Sequence, residues 1–392
     1  MGKRAPSALL ALACLTAAGA ARAEADDATG NEHYSLRAEL GLEVDTNAHR
    51  TEIVTGADNP PLVTSPVERL VVAGTLSDVI ADGQAVMMSA TAAGKLFDAP
   101  AARDENVAIA QSSLAWQEAL GGSKTLTLSG AYYEAFQAQS TNLVDASERR
   151  DFRSLAPSAQ LAFAPAERWD LALGLGYRSF EFKPDRDDDF TAPTATLESR
   201  WLPVGAGTAD WEVSAGAAFE DRTFGGPALT NNCAGTTQAI FACSGPDTRH
   251  DQFLMTHLDL TRVGQVLTGV GYAFHDNRSN SYGETVLRHF FTARFAAPLP
   301  GGLTLAARAE LLLAFYSQPV VIGQIQPGSF SSVESIDDEN RSSLRVDLSR
   351  ALGDRLRVVM RYTFYANEIA NAAPISYRRQ TLLLSLAGLL EK

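Results

Sequence analysis

Between residues 342 and 365, apolar and polar side chains change places at nearly every step, on both sides of a Gly353-Asp354 turn. Leu344, Val346 and Leu348 alternate with Arg345, Asp347 and Ser349. Past the turn, Leu356, Val358, Met360, Tyr362 and Phe364 alternate with Arg357, Val359, Arg361 and Thr363. A period of two sends each set to one face of a strand. In a water-soluble sheet the apolar face meets a core. In a barrel crossing an outer membrane it meets lipid, and the polar face lines a lumen.

The rest of the chain decides between these. The same pattern starts at residues 33–47, where Tyr34, Leu36, Ala38, Leu40, Leu42 and Val44 oppose Ser35, Arg37, Glu39, Gly41, Glu43 and Asp45. Further alternating segments follow to the last one, which carries Leu382, Leu384 and Leu386. Short turns such as Ala81-Asp82-Gly83, Gly121-Gly122-Ser123 and Leu299-Pro300-Gly301-Gly302 take turns with longer polar connections. The longest connection is read as residues 225–248. One-sided loop length is a property of barrels with both ends in the periplasm, and a soluble sandwich has no reason for it. The expected fold is all-β: a transmembrane antiparallel up-and-down barrel of about 16 strands, with 14 or 18 as alternatives. Trp116, Trp169, Trp201 and Trp211 stand near strand ends beside short turns, the position of an interfacial girdle.

The chain opens with Lys3 and Arg4, a small-residue apolar run over residues 8–20, and Ala21-Arg22-Ala23. That is the order of a secretory signal, so residues 1–23 are read as a signal peptide. Residues 24–32 are read as a short periplasmic segment and residues 33–392 as the barrel. Cys14 raises a lipoprotein alternative, disfavoured by Ala11 and by the apolar run continuing past it. No later apolar run is long enough for a transmembrane helix. With 33 Lys and Arg against 46 Asp and Glu, the net charge of −13 argues against a nucleic-acid partner. Cys233 and Cys243 remain in the exported chain, and a disulfide stapling their loop is expected.

Catalytic and metal chemistry are weakly represented. The 6 histidines are scattered, and no two stand at metal-ligand spacing. His257 and Asp259 share a face and are the best candidates for an outer-membrane hydrolase, but no serine is recognisably paired with them. Asp185, Asp187, Asp188 and Asp189 lack the glycine and distal glutamate of a compact calcium loop and read as a solvated acidic connection. No cofactor or metal is expected. The informative charges face inward: Arg288, Arg294, Arg308, Arg345, Arg357 and Arg361, and, on the first strand, Glu39, Glu43 and Asp45, which closure brings beside the last strand. Two readings stay open: charged walls that set pore selectivity, or ion pairs that fill the barrel.

Two segments, Gly41-Leu-Glu-Val-Asp45-Thr-Asn47-Ala-His-Arg50 and Tyr377-Arg378-Arg379, resemble the porin-like outer-membrane barrels of bacterial exopolysaccharide secretion systems. In those barrels a Gly-x-x-x-Asp-x-Asn-x-x-Arg segment ends strand one and a Tyr-Arg-Arg segment opens the last strand. The final Leu390-Glu391-Lys392 departs from the terminal phenylalanine of many outer-membrane barrels. The resemblance implies a non-enzymatic conduit in the outer membrane, amid lipid and lipopolysaccharide, carrying a polysaccharide with a separate periplasmic export protein. An enzyme acting on lipid or lipopolysaccharide, or a non-conducting structural or adhesion barrel, are the alternatives.

Overall fold

A computed structural model describes residues 33–49, 53–54, 61–140, 147–149, 151–183, 186–203, 210–231, 243–318, 342–366, 369–370, 375–376 and 378–391. The chain forms sixteen long strands: β1 (His33–Asp45), β2 (Ser65–Ala81), β3 (Gln84–Phe97), β4 (Val107–Gly121), β5 (Lys124–Ser140), β6 (Phe152–Ala166), β7 (Trp169–Phe182), β8 (Phe190–Trp201), β9 (Asp210–Thr230), β10 (Cys243–Val263), β11 (Leu267–Ser279), β12 (Val286–Leu299), β13 (Leu303–Tyr316), β14 (Ser342–Ala351), β15 (Leu356–Ala366) and β16 (Arg378–Glu391). Each pairs antiparallel with its neighbours in sequence, and β1 pairs with both β2 and β16, so the sheet closes. No helix among the described residues is long and apolar enough to cross a membrane.

Local chemistry fixes the turns. At the β4–β5 hairpin, Gly122 and Ser123 both have positive φ, 58° and 63°. A two-residue hairpin needs this at both central positions to match the twist of its strands. At the other end, the strands β9 and β10 run to Thr230 and from Cys243, so the connection expected at residues 225–248 is paired strand at both of its ends. Gly225 and Gly226, at the start of that expected connection, serve close packing. A Cβ on Gly225 would lie 2.7 Å from Arg186 O, and one on Gly226 2.3 Å from Asp187 Cβ. Asp189 Oδ1 accepts from Phe182 N at 2.6 Å, so this end of the acidic connection braces the barrel rim, while Asp185 lies outside the described residues.

The outer face is apolar. Leu42 and Leu175 are 70% and 71% exposed, and Leu40, Leu173, Val270, Met360, Leu382, Leu384 and Leu386 share that side. A continuous apolar belt around a closed barrel has one compatible solvent, the hydrocarbon of a bilayer. The protein is a bacterial outer-membrane barrel. Trp169 and Trp201 are cross-strand partners beside the short turns, both exposed, and Trp169 Nε1 donates to Ser199 Oγ at 2.9 Å. An indole with its ring in lipid and its N–H satisfied suits the interface.

Closure depends on β1 meeting β16, and at the loop end Asp45 accepts two bonds from the Arg379 guanidinium, at 2.9 and 2.5 Å. Both side chains are buried. Removing one partner of a buried, hydrogen-bonded pair leaves a charge without compensation. Asp45→Ala is therefore expected to cost about 3–5 kcal/mol, read as a fall in the urea midpoint in lipid vesicles, whereas a loss below about 1 kcal/mol, the level of a surface pair, would show the seam does not rely on it.

Candidate functional site

The functional surface of a barrel is its inner face, and each strand contributes every second residue to it. On β1 that set is Arg37, Glu39, Gly41, Glu43 and Asp45, as the alternation predicts. The three acids meet bases from other strands. Lys95 Nζ lies 3.0 Å from Glu43 Oε1, and Arg69 sits 3.9 Å from both Glu39 and Glu43. Glu39 also pairs with Arg37 at 2.7 Å. Gly41 faces Arg69 across the β1–β2 ladder and Ser385 across the β1–β16 ladder. A Cβ there would fall 2.6 Å from Leu383 Cδ1 and 2.9 Å from Ser385 Cβ, so glycine lets Leu383 fold over the wall. Asn47 N donates to Asp45 Oδ1, and Asn47 Nδ2 donates to the Arg378 carbonyl. The two segments that carried the resemblance thus meet at the seam.

The predicted arginines all project inward but do not make a uniform wall. Arg345 and Arg361, on adjacent strands, both bind Asp347 at 2.8 Å. Arg294 pairs with Asp259 at 2.5 Å and Arg308 with Glu310 at 3.2 Å. Arg357 is exposed near the Gly353 turn, and Arg288 is buried. His257 and Asp259 face inward as expected but are not a dyad. His257 Nε2 approaches Glu198 at 3.4 Å, across the space that Gly216 leaves open, while Asp259 serves Arg294. Cys243 begins β10, its Sγ 3.7 Å from Thr230 O, and Cys233 lies outside the described residues.

A second component is not visible in the alternation of the charged residues. Tyr133, Phe152, Phe180, Phe190 and Phe224, one from each of β5 to β9, form a chain of rings with centroids 5.0–5.4 Å apart. The Arg222 guanidinium lies over Phe190 and Phe253, at 5.1 and 4.3 Å, and that of Arg249 over Phe224 at 4.0 Å. His275 continues the band, with its ring 5.5 Å from Phe253 and 4.5 Å from Phe290. The signal was in the sequence: Phe180 and Phe182 fall on the opposite parity from Leu173, Leu175 and Tyr177, close to a long connection. A phenylalanine on the lumen side marks a place where the wall is packed.

At the rim, Arg249 Nη2 binds Asp251 at 2.8 Å and Glu284 at 2.9 Å. Ser279 Oγ donates to Asp251 Oδ1 at 2.5 Å, and Asn277 Nδ2 to the Glu284 carbonyl at 2.9 Å. Glu284 stands in the β11–β12 connection, and burial lifts its pKa to about 7; Asp251 and Asp188 add to the rise and Arg249 opposes it.

The inner charges change character along the barrel axis. Toward the short turns, Glu198, Arg200, Glu212, Asp259, Arg294 and Arg308 keep 25–49% of their side-chain surface accessible. Toward the loops, Glu43, Asp45, Arg69, Lys95, Arg222, Arg249, Asp251, Glu284 and Arg379 keep 0–11%. Of these inner charges, the set toward the short turns is wet and the set toward the loops is packed.

No protein family matches the chain, and no curated protein does. Among solved structures, OpdQ of Pseudomonas aeruginosa is similar over 92% of this chain and 99% of its own, at 9% identity and a TM-score of 0.44. OmpT of Vibrio cholerae is similar over 93% and 99%, at 9% identity and a TM-score of 0.43. A bacterial polysaccharide outer membrane secretin is similar over 91% and 98%, at 10% identity and a TM-score of 0.41. These are broad likenesses of architecture.

A carboxyl raised from 4.5 to about 7 makes the folded chain hold a proton that the unfolded chain has released. Its contribution is intact below pH 4.5 and is lost as pH climbs to about 7, on the order of 1–3 kcal/mol. Protection of the residue 280–285 amides, corrected for intrinsic exchange, should fall between pH 5 and pH 8 in the wild type and stay level in Glu284→Gln. Equal profiles in the two proteins would contradict this.

Proposed function

We propose that this barrel is a porin-like channel of the outer membrane, and that the solute it carries is a carbohydrate, in keeping with polysaccharide export. The carrying observation is the grading of the inner face. Accessible, ion-paired charges on the short-turn side make a vestibule where water and a hydroxyl-rich chain are both accommodated. Aromatic rings and buried ion pairs on the loop side make the narrow level, where selectivity would reside. Guanidinium groups donate in a planar fork that suits hydroxyl and acidic groups of sugars, and aromatic faces beside them suit the C–H faces of pyranose rings. In this reading lipopolysaccharide surrounds the loop end, and a separate periplasmic export protein delivers polymer to the short-turn end. The Cys233–Cys243 staple would hold the rim over β9 and β10.

The hydrolase alternative gains nothing from the geometry, since His257 and Asp259 are each committed to another partner.

Reconstitution into a planar bilayer tests the channel. The wild-type protein is expected to give discrete conductance steps that a soluble oligosaccharide shortens. Phe190→Ala, by thinning the ring band, should raise conductance on the order of twofold. Absence of steps from both proteins, when each is shown to be folded, would refute the channel.

A further inference from the structure

Most inward arginines are matched by a carboxylate. Arg222 binds Glu220 at 2.7 Å, Arg249 binds Asp251 and Glu284, and Arg345 and Arg361 share Asp347. Arg288 is different. It is nine-tenths buried, and its Nε is enclosed without a hydrogen-bond partner. Its cross-strand neighbours are His275 on β11 and Ala314 on β13. Neither is an acid, and Ala314 is too short to shield it. Glu284 senses the charge of Arg288 but spends its hydrogen bond on Arg249. Among the described residues no carboxylate forms an ion pair with Arg288. A buried guanidinium without a counter-ion is costly, because desolvation is not offset by a nearby opposite charge.

The surroundings suit an incoming anion. Arg222, His275 and Arg288 come from β9, β11 and β12 and face the same inner wall, with Phe253 and Phe290 beside them. Apolar rings lower the local dielectric and strengthen any ion pair formed there. A planar fork takes an oxyanion through two parallel bonds. We propose that Arg288 anchors an anion-binding site in the narrow level of the barrel, taking one carboxylate or phosphate group of a solute, with Arg222 and His275 as flanking groups. The site deepens the channel reading, and rests on it only for the route by which the solute arrives.

The test uses the full folded barrel in detergent micelles, with folding checked by its circular dichroism. Calorimetric titration with sodium glucuronate and with inorganic phosphate supplies the two oxyanion chemistries, and glucose is the neutral control. The wild type is expected to bind at least one anion and not glucose. Glucuronate alone would identify a sugar carboxylate, and phosphate alone a phosphate-bearing solute. Arg288→Gln should weaken that binding at least tenfold, Arg288→Lys should weaken it less, and Arg278→Gln, on the outer face, should leave it unchanged. Equal binding by the wild type and Arg288→Gln overturns the site, as does a wild type that binds no anion. If Arg288→Gln does not fold, Arg288→Lys decides: affinity equal to the wild type's overturns the site. A barrel that binds the anion but carries no current would end the channel reading and leave the site standing.

Discussion

Everything in this molecule depends on the first strand finding the last. In a bilayer an unpaired backbone N–H or C=O has no water to turn to, so a sheet that crosses must have no edge. β1 and β16 close the ring in register from Ser35 opposite Glu391 to Asp45 opposite Thr381. Backbone bonds alone specify a ladder but not its register, since a slip of one residue would turn leucines inward and acids into lipid. Asp45 and Arg379, 334 positions apart in sequence, add a constraint that a slipped register would not satisfy. Asn47, bonded to Asp45 and to the Arg378 carbonyl, ties the chain leaving β1 to the start of β16.

From the seam, two kinds of inner wall extend. Around β1 to β3 and β14 to β16 it is built of ion pairs; from β5 to β12 ion pairs continue, and aromatic rings are added beneath the guanidinium groups of Arg222 and Arg249. Carboxylates make buried charge tolerable in both, and in the second the negative face of an aromatic ring adds to them. Low-dielectric surroundings raise the value of each partner and also the cost of lacking one. That asymmetry is what sets Arg288 apart from the other inward arginines.

Much of the fold was legible, because a period of two is a local property and one-sided loop length accumulates along the chain. The facing of Glu39, Glu43, Asp45 and the six arginines followed from alternation alone. Their partners did not. Alternation gives the side of the sheet but neither the height in a tilted barrel nor the neighbour across a strand tens or hundreds of residues away. Lys95, Arg69 and Arg379 were therefore invisible as the bases of the β1 acids, and Asp347 as the bridge between Arg345 and Arg361. The close packing of Gly225 and Gly226 against Arg186 and Asp187 was likewise out of reach, since alternation does not show which segment lies against a strand.

The graded inner charges imply an aqueous lumen that is open on the short-turn side and packed toward the loops. Two inward positions separate these levels with gentle substitutions: Ser214 on β9, partly accessible, and Thr363 on β15, buried. In a cysteine-free background reconstituted into lipid, the labelling rate by a charged, water-soluble thiol reagent reads the difference. Fast labelling of Ser214→Cys and slow labelling of Thr363→Cys are expected. Protection of both, or equally fast labelling of both, would contradict it.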